Sequence, residues 1–181
     1  MFSRSETNIP DGPFTSARLS FQKLCVQDED AMWEMVSSDV MMRFVPYTTE
    51  VNRDTWRETF HRQMAEGERY KFFYAFRWRD QNEEEKDLLG LVILRPLEDG
   101  TKLEVGYWVR ESFWGMGLAT EVNARMVSLA ENELNIDPKY LMATVMLGND
   151  ASRKVLEKSG FKVVGELMED AGPCWDFRRD I

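Results

Sequence analysis

Histidine and cysteine are scarce in this chain, and their scarcity excludes several kinds of site. The 181 residues include one histidine, His61, and two cysteines, Cys25 and Cys174. The cysteines lie far apart and form no CxxC pair, and these ligands are too few for an all-protein zinc site. We therefore predict no metal centre. We interpret both cysteines as small apolar fillers and His61 as a surface or structural residue.

Long apolar runs are also absent. The longest uninterrupted run is 88–94, which is far shorter than the roughly 20 residues that cross a bilayer. The first residues are polar and mixed in charge, without the apolar core of a signal peptide. These features predict a cytoplasmic protein that does not insert into membranes.

Positive charge is in deficit. The chain has 23 Lys and Arg against 32 Asp and Glu, a net charge of −9, which argues against a nucleic-acid-binding surface. An acidic surface can steer a cationic acceptor such as an amine or a basic peptide, although solubility alone also favours such a charge. With 43% apolar and 12% aromatic residues, the composition is that of a globular protein.

The pattern along the chain predicts one domain with a mixed sheet. Residues 1–15 are polar and contain Gly and Pro, which predicts a flexible leader, and 16–181 predict a single domain. Apolar residues at helical spacing predict helices at 28–37, 53–67, 118–134 and 150–159, and 39–50 reads as irregular. Alternating or continuous apolar segments predict strands at 18–24, 70–79, 88–94, 102–109, 140–146, 161–164 and 174–178.

Turn signals join three of these strands. Asp99-Gly100 and the polar segment 81–86 predict hairpins, and a strand–helix–strand passage lies among them. The fold class is therefore α+β, with a mixed, mostly antiparallel seven-stranded sheet and helices on both faces.

A glycine-containing loop separates the predicted strand 102–109 from the predicted helix 118–134. Gly115 and Gly117 allow a tight turn that exposes successive N–H groups, and the helix start adds unpaired donors and a positive dipole end. Such a loop binds phosphate or pyrophosphate, although a plain strand-to-helix turn is the alternative. No Gly-Lys-Ser/Thr follows it, and the third glycine of a dinucleotide fingerprint is missing.

Two blocks give this loop a family resemblance. The segment Trp114-Gly-Met-Gly-Leu-Ala119 resembles the phosphate loop Q/R-x-x-G-x-G/A of the GNAT superfamily of acyl-CoA N-acyltransferases, and its first position departs from that pattern. Residues 149–161 resemble the Asn-x-x-Ser-x-x-x-Leu-Glu-Lys-x-Gly-Phe block of the RimJ/RimL-like ribosomal-protein N-terminal acetyltransferases. Residues 16–21 match the first strand of that branch. The resemblance covers about residues 16–181.

The resemblance implies the GNAT fold, acetyl-CoA as co-substrate and direct attack by an amine, with no covalent enzyme intermediate. The N–H groups of the loop would hold the pyrophosphate. The main chain of Tyr107 to Val109 would pair with the pantetheine arm, and Asn149 would donate a hydrogen bond to or accept one from the same arm. Arg153 and Lys154 oppose the helix dipole where they stand, so we predict that one or both face a phosphate; a solvated pair is the alternative. The predicted cofactor-binding residues are Tyr107, Trp108, Val109, Trp114, Gly115, Met116, Gly117, Leu118, Ala119, Thr120, Asn149, Ser152, Arg153 and Lys154.

The catalytic and acceptor residues also follow from the resemblance. Glu104 is the predicted general base for the attacking amine. The alternative is that it is an ordinary solvated glutamate of a strand. Ser152 is predicted to protonate or orient the departing CoA thiolate. The alternative is that it only caps the helix. Tyr47 and Trp56 are the predicted acceptor contacts, although helical spacing makes Trp56 equally suited to a core.

The acceptor is open among several amines. The branch favours a protein N-terminal amine, on a ribosomal or another protein, and the alternatives are a polyamine, an amino sugar or an amino acid. A non-catalytic acyl-CoA-binding sensor domain is the rival class, and the presence of Glu104, Asn149 and Ser152 argues against it. The sequence does not decide between a monomer and a homodimer.

Overall fold

The computed structural model describes residues 9–44, 52–67, 70–81, 87–97, 102–170 and 172–179. Tyr47, the Asp99-Gly100 turn and most of the polar turn at 81–86 lie outside these ranges. The helices are α1 (Glu29–Val36), α2 (Asp39–Met42), α3 (Arg53–Glu66), α4 (Leu118–Ser128) and α5 (Asp150–Lys158). The strands are β1 (Phe14–Thr15), β2 (Leu19–Lys23), β3 (Phe73–Trp78), β4 (Gly90–Pro96), β5 (Leu103–Val109), β6 (Leu141–Met146), β7 (Lys162–Glu169) and β8 (Gly172–Arg178).

The strands form one sheet in the order β1-β2-β3-β4-β5-β6-β8-β7. Every neighbouring pair is antiparallel except β5–β6, which is parallel. That parallel ladder contains only the pairs Leu103–Leu141 and Glu104–Met142, so β5 and β6 separate beyond Glu104. The predicted α+β class and mostly antiparallel sheet are confirmed, and the described residues form eight strands instead of the predicted seven.

Helices cover both faces of the sheet, as predicted, because β3 and β4 are buried on both sides. In β3, Tyr74 and Phe76 point into the core under α4 and α5, whereas Phe73 and Ala75 point into a second core under α1, α2 and α3. Side chains alternate along a strand, so the nearly continuous apolar sequence of β3 and β4 supplies both cores. None of the described helices is long and apolar enough to cross a membrane.

The described part of the predicted leader belongs to the folded domain. Ile9 and Phe14 are buried, and the Phe14 ring stacks on Phe21 with centroids 5.1 Å apart. Phe14–Thr15 forms β1, which pairs with β2. The prediction of a flexible leader at 1–15 is therefore wrong for residues 9–15. The polar residues, Gly and Pro of this segment predicted a leader, although its two apolar residues Ile9 and Phe14 are buried in the domain.

Two other segments differ from the sequence prediction, whereas the helix predicted at 118–134 keeps its extent and ends in a different helix type. Helix α2 lies in the segment predicted as irregular, and Ser38 caps it by accepting a hydrogen bond from Met41 N at 3.3 Å. A π-helical turn, Leu129–Glu133, continues α4. Strand β7 extends to Glu169, well beyond the predicted strand 161–164, and β8 begins at Gly172. Most of the chain between the predicted strands 161–164 and 174–178 is therefore strand.

The Glu121 carboxylate connects α4 to the segment 16–18, between β1 and β2. Glu121, in the first turn of α4, accepts hydrogen bonds from the Ser16 hydroxyl at 2.6 Å and from Arg18 N at 2.8 Å. Its second oxygen accepts from Arg18 Nε at 2.6 Å. Burial raises the pKa of this carboxyl, but the hydrogen bonds and the charge of Arg18 outweigh that effect, so its pKa lies below the ordinary 4.5.

This lowered pKa predicts a pH-dependent contribution to stability. A carboxyl with a depressed pKa stabilises the fold above its unfolded pKa, and the contribution disappears as pH falls through the folded pKa. Glu121→Gln is therefore expected to lower Tm at about pH 7 and to lose less Tm than wild type on acidification to about pH 3. Thermal unfolding across this range measures it, with the exposed Glu166→Gln as control. Parallel curves for wild type and Glu121→Gln would contradict it.

Candidate active site

A cleft of about 410 Å³ opens where β5 separates from β6. The end of β5, the loop that follows it, the first turns of α4 and α5, and the α2 segment line this cleft. None of the described lining residues carries a charged side chain. They are Val40, Met41, Phe44, Tyr107, Trp108, Val109, Phe113, Trp114, Gly115, Gly117, Leu118, Ala119, Thr120, Asn149, Ala151, Ser152 and Val155.

The glycine loop forms one end of the cleft. Gly115 and Gly117 have φ values of +77° and +75°, a region in which other residues are strained. Gly117 is the N-cap of α4, and no side chain of the described residues caps this helix. The first N–H groups of α4 therefore lie beside the cleft without a side-chain acceptor, which is the arrangement that binds an anion.

The two bulky residues at the start of the loop, Trp114 and Met116, are both exposed. Trp114 is 47% exposed, and its indole N–H donates to the Val109 carbonyl at 2.7 Å. This bond closes the turn from β5 into the loop. Met116 is similarly exposed but does not line the cleft, alone among the loop residues predicted to bind cofactor.

The first turn of α5 faces the loop across the cleft. Asn149 caps it by accepting a hydrogen bond from Ser152 N at 3.2 Å, so the ordinary capping role is present, and both side chains also line the cleft. The Tyr107 hydroxyl donates to the Ser152 carbonyl at 3.3 Å, which joins β5 to α5. Burial raises the pKa of Tyr107 to about 12, against a smaller opposing effect of a hydrogen bond with the Ser152 side chain, so the phenol is neutral at physiological pH.

Glu104 lies on β5 outside the residues that line the cleft. Its carboxylate accepts a hydrogen bond from Arg95 Nε at 2.6 Å, and its side chain is 18% exposed. Arg95 and Glu104 are direct cross-strand partners, and Glu104 is also the last residue of β5 paired with β6. The carboxylate therefore stands at the point where the two strands begin to separate.

The other predicted site residues are placed away from the cleft. Arg153 donates to Glu157 at 2.9 Å and lies 5.1 Å from the Trp175 ring centroid, while Lys154 is exposed. Trp56 is 2% exposed and stacks on Phe60 with centroids 5.1 Å apart. Trp56 is thus a core residue and not an acceptor contact, because its helical spacing serves the core.

The scarce residues noted in the sequence take no part in the cleft. Burial, together with the nearby Asp28 charge, raises the pKa of the Cys25 thiol, and burial raises that of Cys174. His61 Nε2 lies 2.8 Å from a carboxylate oxygen of Glu29 on the surface. No group of three or more His, Cys, Asp or Glu side chains among the described residues is arranged to hold a metal ion.

Sequence reasoning missed the wall that α2 contributes. Val40, Met41 and Phe44 line the cleft, and Phe113 joins them from the 3₁₀ turn Glu111–Phe113. The only local signal was the apolar spacing of these three residues, within a segment too short to give a helical period. These residues make the part of the cleft wall formed by the α2 segment apolar.

The helix start without a side-chain cap, the separation of β5 from β6, and Asn149 and Ser152 beside the cleft form the arrangement that the sequence resemblance implied for an acyl-CoA-dependent N-acetyltransferase. Residues 18–162 match the model of the acetyltransferase (GNAT) domain, and the chain belongs to this family. The structure thus has the family's fold, with one strand more than the sequence predicted.

Individual relatives agree with this assignment. The chain is 26% identical over 153 residues to the uncharacterized N-acetyltransferase YoaA of Bacillus subtilis, covering 84% of each chain. It resembles the spermidine N-acetyltransferase from Vibrio cholerae in complex with CoA and spermine (TM-score 0.68, 17% identity, 89% of this chain and 94% of that one). It also resembles RimL, a ribosomal L7/L12 alpha-N-protein acetyltransferase, in complex with coenzyme A (TM-score 0.68, 16% identity, 96% and 97%).

Proposed function

We propose that this enzyme acetylates the N-terminal amine of a protein. The observation that carries the proposal is the uncharged lining of the cleft over the described residues. A polyamine carries several positive charges, and burying them without carboxylate partners is costly. A peptide N-terminus brings a single charge, and apolar walls such as Val40, Met41 and Phe44 suit its first side chain. The likeness to RimL supports a protein N-terminus as the acceptor. The likeness to the spermidine N-acetyltransferase supports the alternative, a polyamine.

The same geometry suggests how acetyl-CoA is held. The pyrophosphate would accept hydrogen bonds from N–H groups of residues 115–120, at the positive end of α4. The pantetheine arm would lie in the gap beside Tyr107 to Val109, where β6 no longer pairs with β5. The Asn149 side-chain amide, whose oxygen caps α5, retains its N–H groups for the arm. That Arg153, which pairs with Glu157, or the exposed Lys154 faces a phosphate of CoA stays a prediction.

The acceptor nitrogen must lose two protons. The ammonium loses the first to Glu104, directly or through water, and the free amine attacks the thioester carbonyl. The tetrahedral intermediate collapses by breaking its C–S bond; Ser152 gives its hydroxyl proton to the departing CoA thiolate and regains one from the nitrogen, which loses its second proton as the amide forms. The products are the N-acetyl amide and CoA.

Ser152→Ala is expected to lower kcat with acetyl-CoA about tenfold. The effect is moderate because a thiol with a pKa of about 8.5 is a good leaving group. Its thiolate can depart before it is fully protonated. An acetyl thioester of an acidic aryl thiol needs no proton donor, so the variant should approach wild-type rates with it. Steady-state kinetics with both donors measure this, with Ser159→Ala, at the other end of α5, as control. An equal loss with both donors would exclude the proton-donor role.

The acceptor is tested with a panel of amines. CoA thiol release is measured with a peptide bearing a free N-terminus, the same peptide blocked at its N-terminus, spermidine, an amino sugar and free amino acids. We expect turnover with the free N-terminus and none with the blocked peptide. Turnover confined to the small amines would contradict the protein acceptor, and CoA binding without turnover on any amine would favour a sensor domain.

A further inference from the structure

We propose that Ser16, Arg18 and Glu121 form a brace that fixes the glycine loop in its anion-binding conformation. This inference rests on the proposed role of the loop as the CoA pyrophosphate site. The three residues lie behind the loop, and none of them lines the cleft. They are therefore positioning residues, which act on the cofactor only through the loop main chain.

The contact that reaches the loop comes from Arg18. Both terminal nitrogens of its guanidinium donate to the Met116 carbonyl, each at 3.2 Å. The C=O and N–H of a trans peptide point in opposite directions, so this bond turns the N–H of Gly117 away from Arg18. Gly117 itself lines the cleft. Arg18 thus orients a donor that the pyrophosphate would use.

Glu121 holds Arg18 in that position. The carboxylate accepts from Arg18 Nε at 2.6 Å while its other oxygen accepts from Ser16 and from Arg18 N. The planar guanidinium can bond the carboxylate through Nε and the Met116 carbonyl through its terminal nitrogens at once. A lysine ammonium, as a point donor, cannot reproduce this fork.

The brace also controls charge near the proposed anion site. A lone carboxylate in the first turn of α4 would compete with a phosphate for the positive end of the helix. The Arg18–Glu121 ion pair neutralises that carboxylate. Loss of Arg18 therefore releases the Met116–Gly117 peptide and also exposes the ligand to the charge of Glu121.

Variants of Arg18 test the brace with two acetyl donors. Arg18→Ala and Arg18→Lys are expected to raise the KM for acetyl-CoA about tenfold, the value of one lost hydrogen bond to a charged group, with kcat unchanged. S-acetyl-pantetheine lacks the pyrophosphate, so its kcat/KM should stay at the wild-type value. In the double variant Arg18→Ala/Glu121→Gln, part of the acetyl-CoA affinity should return because the unpaired carboxylate is removed.

Arg125→Ala is the matched control. Arg125 also ties α4 to the first strands, through a bond from Nε to the Thr15 carbonyl at 2.7 Å, but it does not contact the loop. It should lower Tm without changing the KM for acetyl-CoA. If Arg125→Ala raised KM as much as Arg18→Ala, or if Arg18→Ala impaired both donors equally, the loss would be one of general stability and the brace would be excluded.

Calorimetric titration with CoA separates the two levels of the proposal. Wild-type protein that binds CoA tightly, together with Arg18 variants that bind it about tenfold more weakly, supports the brace. Equal binding by wild type and variants would overturn the brace and leave the loop assignment intact. Wild-type protein that does not bind CoA would overturn the pyrophosphate role of the loop and the brace with it.

Discussion

Gly117→Ala is expected to raise the KM for acetyl-CoA about 10- to 100-fold. A Cβ at this position meets only Arg18 Nη2, at 3.8 Å, so space is not the obstacle. The φ of +75° costs an alanine about 1–2 kcal/mol, and the loop relieves this strain by turning its peptides. The pyrophosphate then loses one charge-assisted hydrogen bond of about 1.5–3 kcal/mol, and about 1.4 kcal/mol corresponds to a tenfold change.

Gly67→Ala separates this effect from backbone strain alone. Gly67 ends α3 with a φ of +74°, and an added methyl group there would meet nothing within 4 Å, so the alanine meets the same conformational penalty away from the cleft. The two variants should lose similar stability in denaturant unfolding, and only Gly117→Ala should change KM. An unchanged KM in Gly117→Ala would mean that the loop is a simple turn.

Glu104→Gln is expected to lower kcat about 100-fold, the range of an efficient general base. The amide has nearly the shape of the carboxylate, but it cannot accept the ammonium proton. The KM for acetyl-CoA should stay close to wild type because Glu104 lies outside the residues that line the cleft. The measurement is steady-state kinetics with the preferred amine across the pH range.

Glu131→Gln controls for the loss of an ion pair. Glu131 accepts a hydrogen bond from Arg179 Nε at 2.5 Å, and its side chain is 20% exposed, close to the 18% of Glu104. This variant should keep the wild-type kcat. If Glu104→Gln kept both the turnover and the pH–rate profile of wild type, Glu104 would be an ordinary strand glutamate held by Arg95.

The features that sequence reasoning found are those that a short stretch of chain determines. Gly115 and Gly117 at a strand-to-helix junction specify a tight turn with exposed N–H groups wherever the segment lies. Asn149 and Ser152 at a helix start likewise reveal themselves by position. Residues of both blocks line one cleft, although the side chains that complete that cleft could not be deduced from either block.

The features that it missed depend on contacts between distant segments or on interrupted patterns. Arg18 and Glu121 are 103 positions apart, and nothing near either residue reveals the ion pair. Strand β7 has a register shift between Val163 and Gly165, which breaks the alternation that identifies a strand. Trp56 is buried in the core, and its sequence position does not reveal this because a helical face that packs in a core has the same spacing as one that lines a cleft.

A crystal structure of the protein with CoA would test the central claim most directly. We predict that the pyrophosphate oxygens lie within hydrogen-bond distance of main-chain N–H groups between Gly115 and Thr120. The pantetheine arm should run between β5 and β6, with its sulfur facing Ser152. A pyrophosphate held elsewhere, for example by Arg153 and Lys154 with the loop N–H groups unoccupied, would contradict the account.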